Sequence, residues 1–323
     1  MGEQTVSGPA RLIEMAAVAR RFYIDGRSKS EISDEMNLSR FKIARILDEA
    51  LATGIVKIEI STTGRIDLDL SDRLQEAYGL QHSVVLDLDE PNVQAQRAAL
   101  GENCAALLSE VVTEDDILGL AWGRSVRHMS TALRSLPPCS VVQLSGALRS
   151  SVPRPDVRDS TIELVRSVAS VAQGPAAYFY APMIVPNIIT AQTLREQPDA
   201  ARSFGLVPQV TIAVVGVGAW ESGQSAVHDA FSRDERSRLH DDGVLVEIAG
   251  VLLDCEGRPV DNELTGRMIT VQAEQLHAIP EVIGIAYGTG KAEAVRVAIR
   301  AGYLNSLVTH PALAHELIDL ADQ

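Results

Sequence analysis

From residue 93 onward, short apolar runs alternate with stretches of helical periodicity, and no other feature restricts the fold as strongly. The runs are Ile117 to Ala121, Val141 to Leu144, Ala177 to Tyr180, Val210 to Val215, Val244 to Ile248, Val282 to Ala286 and Ser306 to Val308. Helical patterns fall near 93–112, 125–135, 157–172, 229–240, 289–301 and 311–321. Upstream, Leu70, Leu74, Ala77 and Tyr78 predict a short amphipathic helix, followed by a first strand at Val84-Val85-Leu86. Apolar strands separated by crossover helices imply an α/β fold, a mostly parallel, doubly wound sheet covered on both faces. Ligands of such sheets bind beyond the carboxyl ends of the strands, so the turns leaving each strand are where function is sought.

A length of 323 residues leaves room for a second domain, and 46% hydrophobic with 22% charged residues is ordinary globular composition. Cys104, Cys139 and Cys255 are odd in number and have no C-x-x-C spacing, which argues against a disulfide framework or a cysteine zinc site and fits a reducing cytoplasm. Apolar positions between Leu12 and Ile24 are interrupted by Glu14, Arg20 and Arg21, so no export signal is expected there. The uncharged run from Ser167 to Leu194 reaches spanning length, but Pro175, Pro182 and Pro186 break it. It reads as buried strand and loops rather than membrane.

Residues 9–54 read as three helices. Leu12, Met15, Ala16, Ala19, Phe22 and Tyr23 recur at helical spacing and predict a first helix ending near Asp25-Gly26. A capping box, Ser28-x-x-Glu31, opens the second, which runs to about Met36. Asn37 suits the left-handed turn residue, and Ser39 can cap a third helix from Arg40 to about Thr53, ended by Gly54. Ile32, Met36, Leu38, Ile43, Ile46 and Leu47 fall where two steeply crossing helices bury them. With Ile43, Ile46 and Leu47 inward, a rotation of about 100° per residue turns Phe41 and Arg45 outward and leaves Lys42 on a flank. Arg40 lies nearer the buried stripe, yet in the first turn a long side chain swings past the helix end.

Charge supports a nucleic-acid role for this segment. The chain carries a net −14, but residues 9–60 balance at +1, and Ser39 to Arg45 hold three basic residues and no acid. The N-terminal half of a recognition helix meets base edges in the major groove, so Ser39, Arg40, Phe41, Lys42 and Arg45 are the DNA-binding candidates. A plain helical hairpin with a solvated basic face has the same helices but leaves the ordered caps, turn and local charge unexplained. The alternation Val56-Lys57-Ile58-Glu59-Ile60 then reads as a wing-like strand. The expected organisation is a helix-turn-helix over 9–60, a linker with an oligomerisation helix over 61–82, and a ligand-binding domain over 83–323.

Two strand-end turns draw attention. Trp122-Gly123-Arg124-Ser125 leads straight into a helix, so its amides and the serine hydroxyl can receive an anion, although an ordinary tight turn has the same look. Tyr287-Gly288-Thr289-Gly290-Lys291 also opens a helix. Arginine makes up 25 of the 29 basic residues, and Lys291 is the only lysine after Lys57. An ammonium beside two glycines suits a phosphate or polyol oxygen, with a solvated lysine as the alternative. Ile285 and Ala292 replace the glycine and hydroxyl residue of a Walker A loop. Gly216-Val217-Gly218 reads as following a strand, but Glu221 stands where a dinucleotide fingerprint needs glycine, so no nicotinamide cofactor is expected. Asp254 can bind sugar hydroxyls, act as a base, or shape a turn. No H-x-x-x-H pair or G-x-S-x-G elbow supports metal or serine hydrolase chemistry, and no cofactor is expected.

The stretch AAVARRFYIDGRSKSEISDEMNLSRFKIARILDEALATGIVKIEI resembles the helix-turn-helix of SorC-type (SorC/DeoR) bacterial transcriptional regulators. LGLAWGRS, VVQLSGAL, YAPMIVPN, VVGVGAW, EIAGVLLDCEGRPVD and VIGIAYGTGKAEAVRVAIRAGYLNSLVTHPALAHEL resemble their sugar-binding domain, in order, so the likeness runs from about residue 9 to 318. The resemblance implies a fold related to phosphosugar isomerases, a sugar, sugar phosphate or polyol as effector, operator DNA as partner, and a homo-oligomer, a dimer or commonly a tetramer. Carried over by position, the effector pocket uses Gly123, Arg124 and Ser125, then Ser145 and Gly146, then Gly218, Asp254, Gly288, Gly290 and Lys291. Tyr287 and His310 depart from the family pattern, which leads us to expect glycine and aspartate there. An isomerase-like enzyme with Asp254 as base is the competing function, though it lacks a second acid/base member in the sequence and has no use for a basic third helix.

Overall fold

The computed structural model describes residues 8–57, 65–88, 92–148 and 161–321. The chain divides into two compact units between Thr63 and Gly64. In the first, α1 (Pro9–Ala19) runs into a π-helical turn at Arg20–Ile24, and α2 (Lys29–Met36) and α3 (Arg40–Ala52) follow. The local reasons are those of the sequence. Ser28 and Glu31 form a reciprocal capping box, Asn37 sits at φ 52° and ψ 43°, and the Ser39 hydroxyl accepts from the Lys42 N–H. Met15, Val18, Ile32, Ile43 and Ile46 make a fully buried small core. Of the strand expected over 56–60, positions 58 onward lie outside the described residues, and Val56 and Lys57 are not in a strand.

The second unit begins with α4 (Leu68–Tyr78), β1 (His82–Val85), α5 (Val93–Val111), β2 (Ile117–Leu120), α6 (Arg124–Ala132), β3 (Ser140–Gln143), α7 (Thr161–Ala172) and β4 (Ala176–Ala177). It continues through α8 (Ile188–Arg195), α9 (Pro198–Leu206), β5 (Ile212–Ala219), α10 (Ala226–Ala230), α11 (Arg233–Asp241), β6 (Val246–Ile248) and β7 (Val251–Leu253). It closes with α12 (Ala273–His277), β8 (Glu281–Ile285), α13 (Ala292–Arg300), β9 (Ser306–Thr309) and α14 (Pro311–Ala321). The strands order as β1-β9-β8-β5-β2-β3-β4, all parallel, and β6 and β7 extend β5 as an antiparallel hairpin. From β2 the chain proceeds outward to β3 and β4; it then returns to the other side of β2 as β5 and proceeds the opposite way. The topological switch point therefore lies between β2 and β5.

Four details depart from the sequence reading. Helix α4 is docked on this unit: Leu70 and Leu74 enter its core, and the Tyr78 hydroxyl donates to the Leu317 carbonyl at 2.6 Å. The segment read as strand and loops up to Leu194 contains α8, opened by Asn187, whose side chain accepts from the Thr190 N–H. The helix expected near 229–240 is broken into α10 and α11. Gly216, Val217 and Gly218 do not follow a strand; they are its continuation, because β5 extends to Ala219 and pairs there with β6.

Helices α5 and α6 meet at Gly101, where a Cβ would come within 2.6 Å of the His128 Cβ and of the Met129 amide nitrogen. The contact is backbone against side-chain root, so only a shift of one helix could relieve it. Gly101→Ala is expected to cost about 1–3 kcal/mol through overpacking, read from urea unfolding; an unchanged midpoint would contradict the close packing.

Candidate functional site

An open cleft lies at the switch point. Its floor is the backbone of Gly123 and of Gly216 to Gly218, and its walls are Arg97 of α5, Arg124 and Ser125 of α6, Gln224 and Ser225, Glu247 of β6, and Tyr287 and Lys291. The glycines let the backbones close up. A Cβ at Gly218 would come within 2.6 Å of the Ser225 Cβ and 3.1 Å of Glu247 Oε2, so this position keeps the serine and the carboxylate at the cleft.

Three cations meet one half-buried carboxylate, Glu247, here. Lys291 is pushed down to about 8, first by burial and further by Arg97 and Arg124, while Glu247 pulls it back up; its Nζ donates to the Val217 carbonyl at 2.6 Å. Burial raises Glu247, although the Gly250 N–H and the Ser225 hydroxyl donate to it at 2.8 and 3.0 Å. Burial and the neighbouring Arg124 lower Arg97, whose guanidinium stacks 5.7 Å over the Tyr287 ring. Arg124 is weakly tied to Asp229 at 4.0 Å. The arrangement can receive an anion at the arginines and lysine and hydroxyl groups at Glu247, Ser225 and Gln224.

Of the residues expected from sequence, Gly123, Arg124, Ser125, Gly218 and Lys291 line this cleft. Ser145 is fully buried behind it, where its hydroxyl accepts from the Trp122 N–H at 3.1 Å and holds the β2 turn. Gly146 is a close backbone approach: a Cβ there would lie 2.7 Å from the Met183 nitrogen. Gly288, at φ 96°, donates its N–H to His310 Nε2 at 3.0 Å, and burial keeps that histidine below its usual value, as an acceptor requires. The side chain of Gln224 lies over Gly290, its Nε2 at 3.1 Å from where a Cβ would stand. Asp254 does not line the cleft. It accepts from the Glu256 and Arg258 N–H groups at 2.9 Å each and pairs with Arg258 Nε at 2.9 Å. Burial works against its charge, but those bonds outweigh it and hold the carboxyl below the usual range. Of its three readings, turn shaping accounts for every contact it makes. Arg97, Gln224, Ser225 and Glu247 were missed: none lies in a glycine-rich turn, and only the sheet order brings them together.

In the first unit, Arg40, Phe41 and Arg45 are exposed. Lys42 turns to the flank and pairs with Glu14 at 3.6 Å, beside a network in which Arg11 joins Glu14 and Glu49. Ser39 is occupied in capping α3.

The first unit's helices are compatible with a helix-turn-helix, and the second unit is a doubly wound domain with an open cleft. Residues 65–319 match the family described as "Putative sugar-binding domain". The chain is 26% identical over 315 residues to the transcriptional regulator LsrR of Klebsiella pneumoniae subsp. pneumoniae, covering 95% of this chain and 93% of that one. It is 25% identical over 305 residues to the uncharacterized transcriptional regulator YjhU of Escherichia coli K12, covering 92% of each. The full-length sorbitol operon regulator SorC from Klebsiella pneumoniae has the same fold, with a TM-score of 0.72 at 24% identity over 97% of this chain and 99% of that one. The chain belongs to this sugar-binding domain family, among SorC-type transcriptional regulators. Among the described residues no helix is long and apolar enough to cross a membrane.

If Asp254 shapes a turn, Asp254→Ala should lower stability by on the order of 1–2 kcal/mol through the lost hydrogen bonds, measured by urea unfolding. No measurable loss would return it to the ligand candidates.

Proposed function

We propose that this regulator binds operator DNA through α3 and that a phosphorylated sugar or polyol in the cleft sets its affinity. The observation that carries the ligand class is the convergence of Arg97, Arg124 and Lys291 on a cleft holding one half-buried carboxylate, Glu247. A dianion gains from all three cations, and its hydroxyl end meets a carboxylate, a serine and an amide that discriminate sugars by hydrogen bonding. The turn around Gly288 and Gly290 is already partly occupied by His310 and Gln224, so the anion end is assigned to the arginines with Lys291. We further propose a homo-oligomer, since one recognition helix reads few bases and paired half-sites multiply them. The cytoplasm is the setting in which operator DNA and three free cysteines both belong.

One observation favours a second reading. Glu247, raised, and Lys291, lowered, are two titratable groups whose values are drawn toward neutrality in one cleft, as an isomerase-like enzyme needs. Turnover of a sugar phosphate by the purified protein, abolished in Glu247→Gln, would establish that reading. Absence of turnover with a ligand that binds supports the regulator.

Because Lys291 titrates near 8, its ammonium is fully present below that pH and lost above it. Affinity for a sugar phosphate is expected to be level below pH about 7 and to weaken through pH 8–9. In Lys291→Met, affinity should be lower by about ten- to a hundredfold, the worth of a charged hydrogen bond, and flat across that window. Calorimetric titration from pH 6.5 to 9.5 checks both. The ligand-free fold should move the other way: a group depressed on folding releases its proton early, so stability rises with pH between about 8 and the usual lysine value.

On DNA, Arg40→Ala and Arg45→Ala should each flatten the salt dependence of operator binding by about one phosphate contact. Lys42→Ala should have less effect, since Glu14 already neutralises part of its charge. Equal slopes for all three variants would show that the ion pair with Glu14 opens on DNA.

A further inference from the structure

Phe41 is 86% exposed, more than any other large apolar side chain among the described residues. The chain has five phenylalanines, and the other four are packed: Phe179 and Phe231 are buried, and Phe22 and Phe204 lie against core clusters. The exposure is built in rather than incidental. Ser39 caps the helix and Asn37 sets the turn before it, so the first turn of α3 is held, and the rotation that buries Ile43, Ile46 and Leu47 aims Phe41 directly away from them.

Its neighbours identify the partner. Arg45 lies one turn further along the same face, Arg40 precedes it at the helix start, and both are exposed. Lys42 is turned aside to Glu14, and the first acid on α3 is Asp48. The face is thus an apolar ring between two guanidinium groups. A second copy of this chain meeting it symmetrically would set arginines against arginines. A major groove offers the complement: phosphates along both edges, and on the base edges one apolar group, the C5-methyl of thymine.

We propose that Phe41 reads the methyl group of a thymine in each operator half-site, with Arg40 and Arg45 on the flanking phosphates. This rests on the regulator reading above. The test starts by selecting duplexes from a random pool with the full-length protein. Each thymine of the selected site is then replaced in turn by deoxyuridine, which removes only the methyl group. One position per half-site should weaken by about fourfold, the worth of one methyl-sized apolar group. Phe41→Ala should bind the thymine site more weakly and be indifferent to deoxyuridine at that position, while Phe41→Leu should keep part of the discrimination. A selected site at which deoxyuridine is neutral everywhere, or a Phe41→Ala variant that still discriminates, overturns this inference and leaves the regulator reading intact. Selection of no sequence at all overturns the regulator reading itself. A change of sedimentation in Phe41→Ala without DNA would make Phe41 a protein contact and also overturn the inference.

Discussion

The reversal of strand order between β2 and β5 is the constraint on which the second unit's chemistry depends. Two neighbouring parallel strands send their crossover helices to opposite faces, so nothing covers the crevice beyond their carboxyl ends. Gly123 lets the turn after β2 lie close against β5 there: a Cβ on it would stand 3.0 Å from Val126 Cγ2 and 3.6 Å from the Gly216 nitrogen. The open space is then bordered by helix α6, by the β5–β6 extension and by the loop entering α13. Each brings a charged side chain that would be costly in a closed core, and the opening to water makes the cluster tolerable without a ligand.

Local chemistry made the first unit legible. Capping box, left-handed asparagine and second serine cap act within three or four residues of themselves, so their consequences can be read without knowing the fold. The apolar strands β2, β3, β8 and β9 were equally plain, because burial on both faces leaves a continuous apolar run. Helix α8 was hidden by its neighbours: Pro182 and Pro186 stand just before it, and their effect on the preceding segment masked the N-cap at Asn187. The β5 extension was hidden because its partner β6 lies some thirty residues on, and a glycine pair looks like a turn until something pairs with it.

The cleft divides along the same line. Lys291 and the Gly123 turn could be found because a strand end, a glycine and a helix start are neighbours in sequence. Glu247 sits mid-strand between Val246 and Ile248, where alternation alone predicts a solvent-facing position. It faces the cleft instead because β6 folds back along β5, and Gly218 leaves it room. Arg97 has no local signature: it is one more arginine on a helix of mixed polarity, and becomes part of the site only through the Gly101 contact that sets α5 against α6. Asp254 is the reverse case: a carboxylate between two glycines looks available in the sequence, while in the structure its turn is closed around it.

If the cleft binds its effector as proposed, Lys291 is the group through which binding reaches the β5–β6 extension. Its ammonium donates to the carbonyl of Val217, in the part of β5 that pairs with β6, while the carboxylate of Glu247 on β6 draws it from further off. One cation thus joins the loop entering α13 to the β5–β6 extension, in a place where burial opposes its charge. An anion entering the cleft competes for that ammonium and at the same time favours its charged form. The ligand-free contacts and the ligand-bound contacts therefore differ at one group that touches two elements, and a ligand shifts an equilibrium only through such a difference. The hydroxyl end acts on the same pair from the other side, because any hydrogen bond donated to Glu247 weakens its hold on Lys291. Under the proposed function, recognition of the anion and of the sugar are consequently not independent in this cleft, and a ligand lacking either end loses more than the contacts it fails to make.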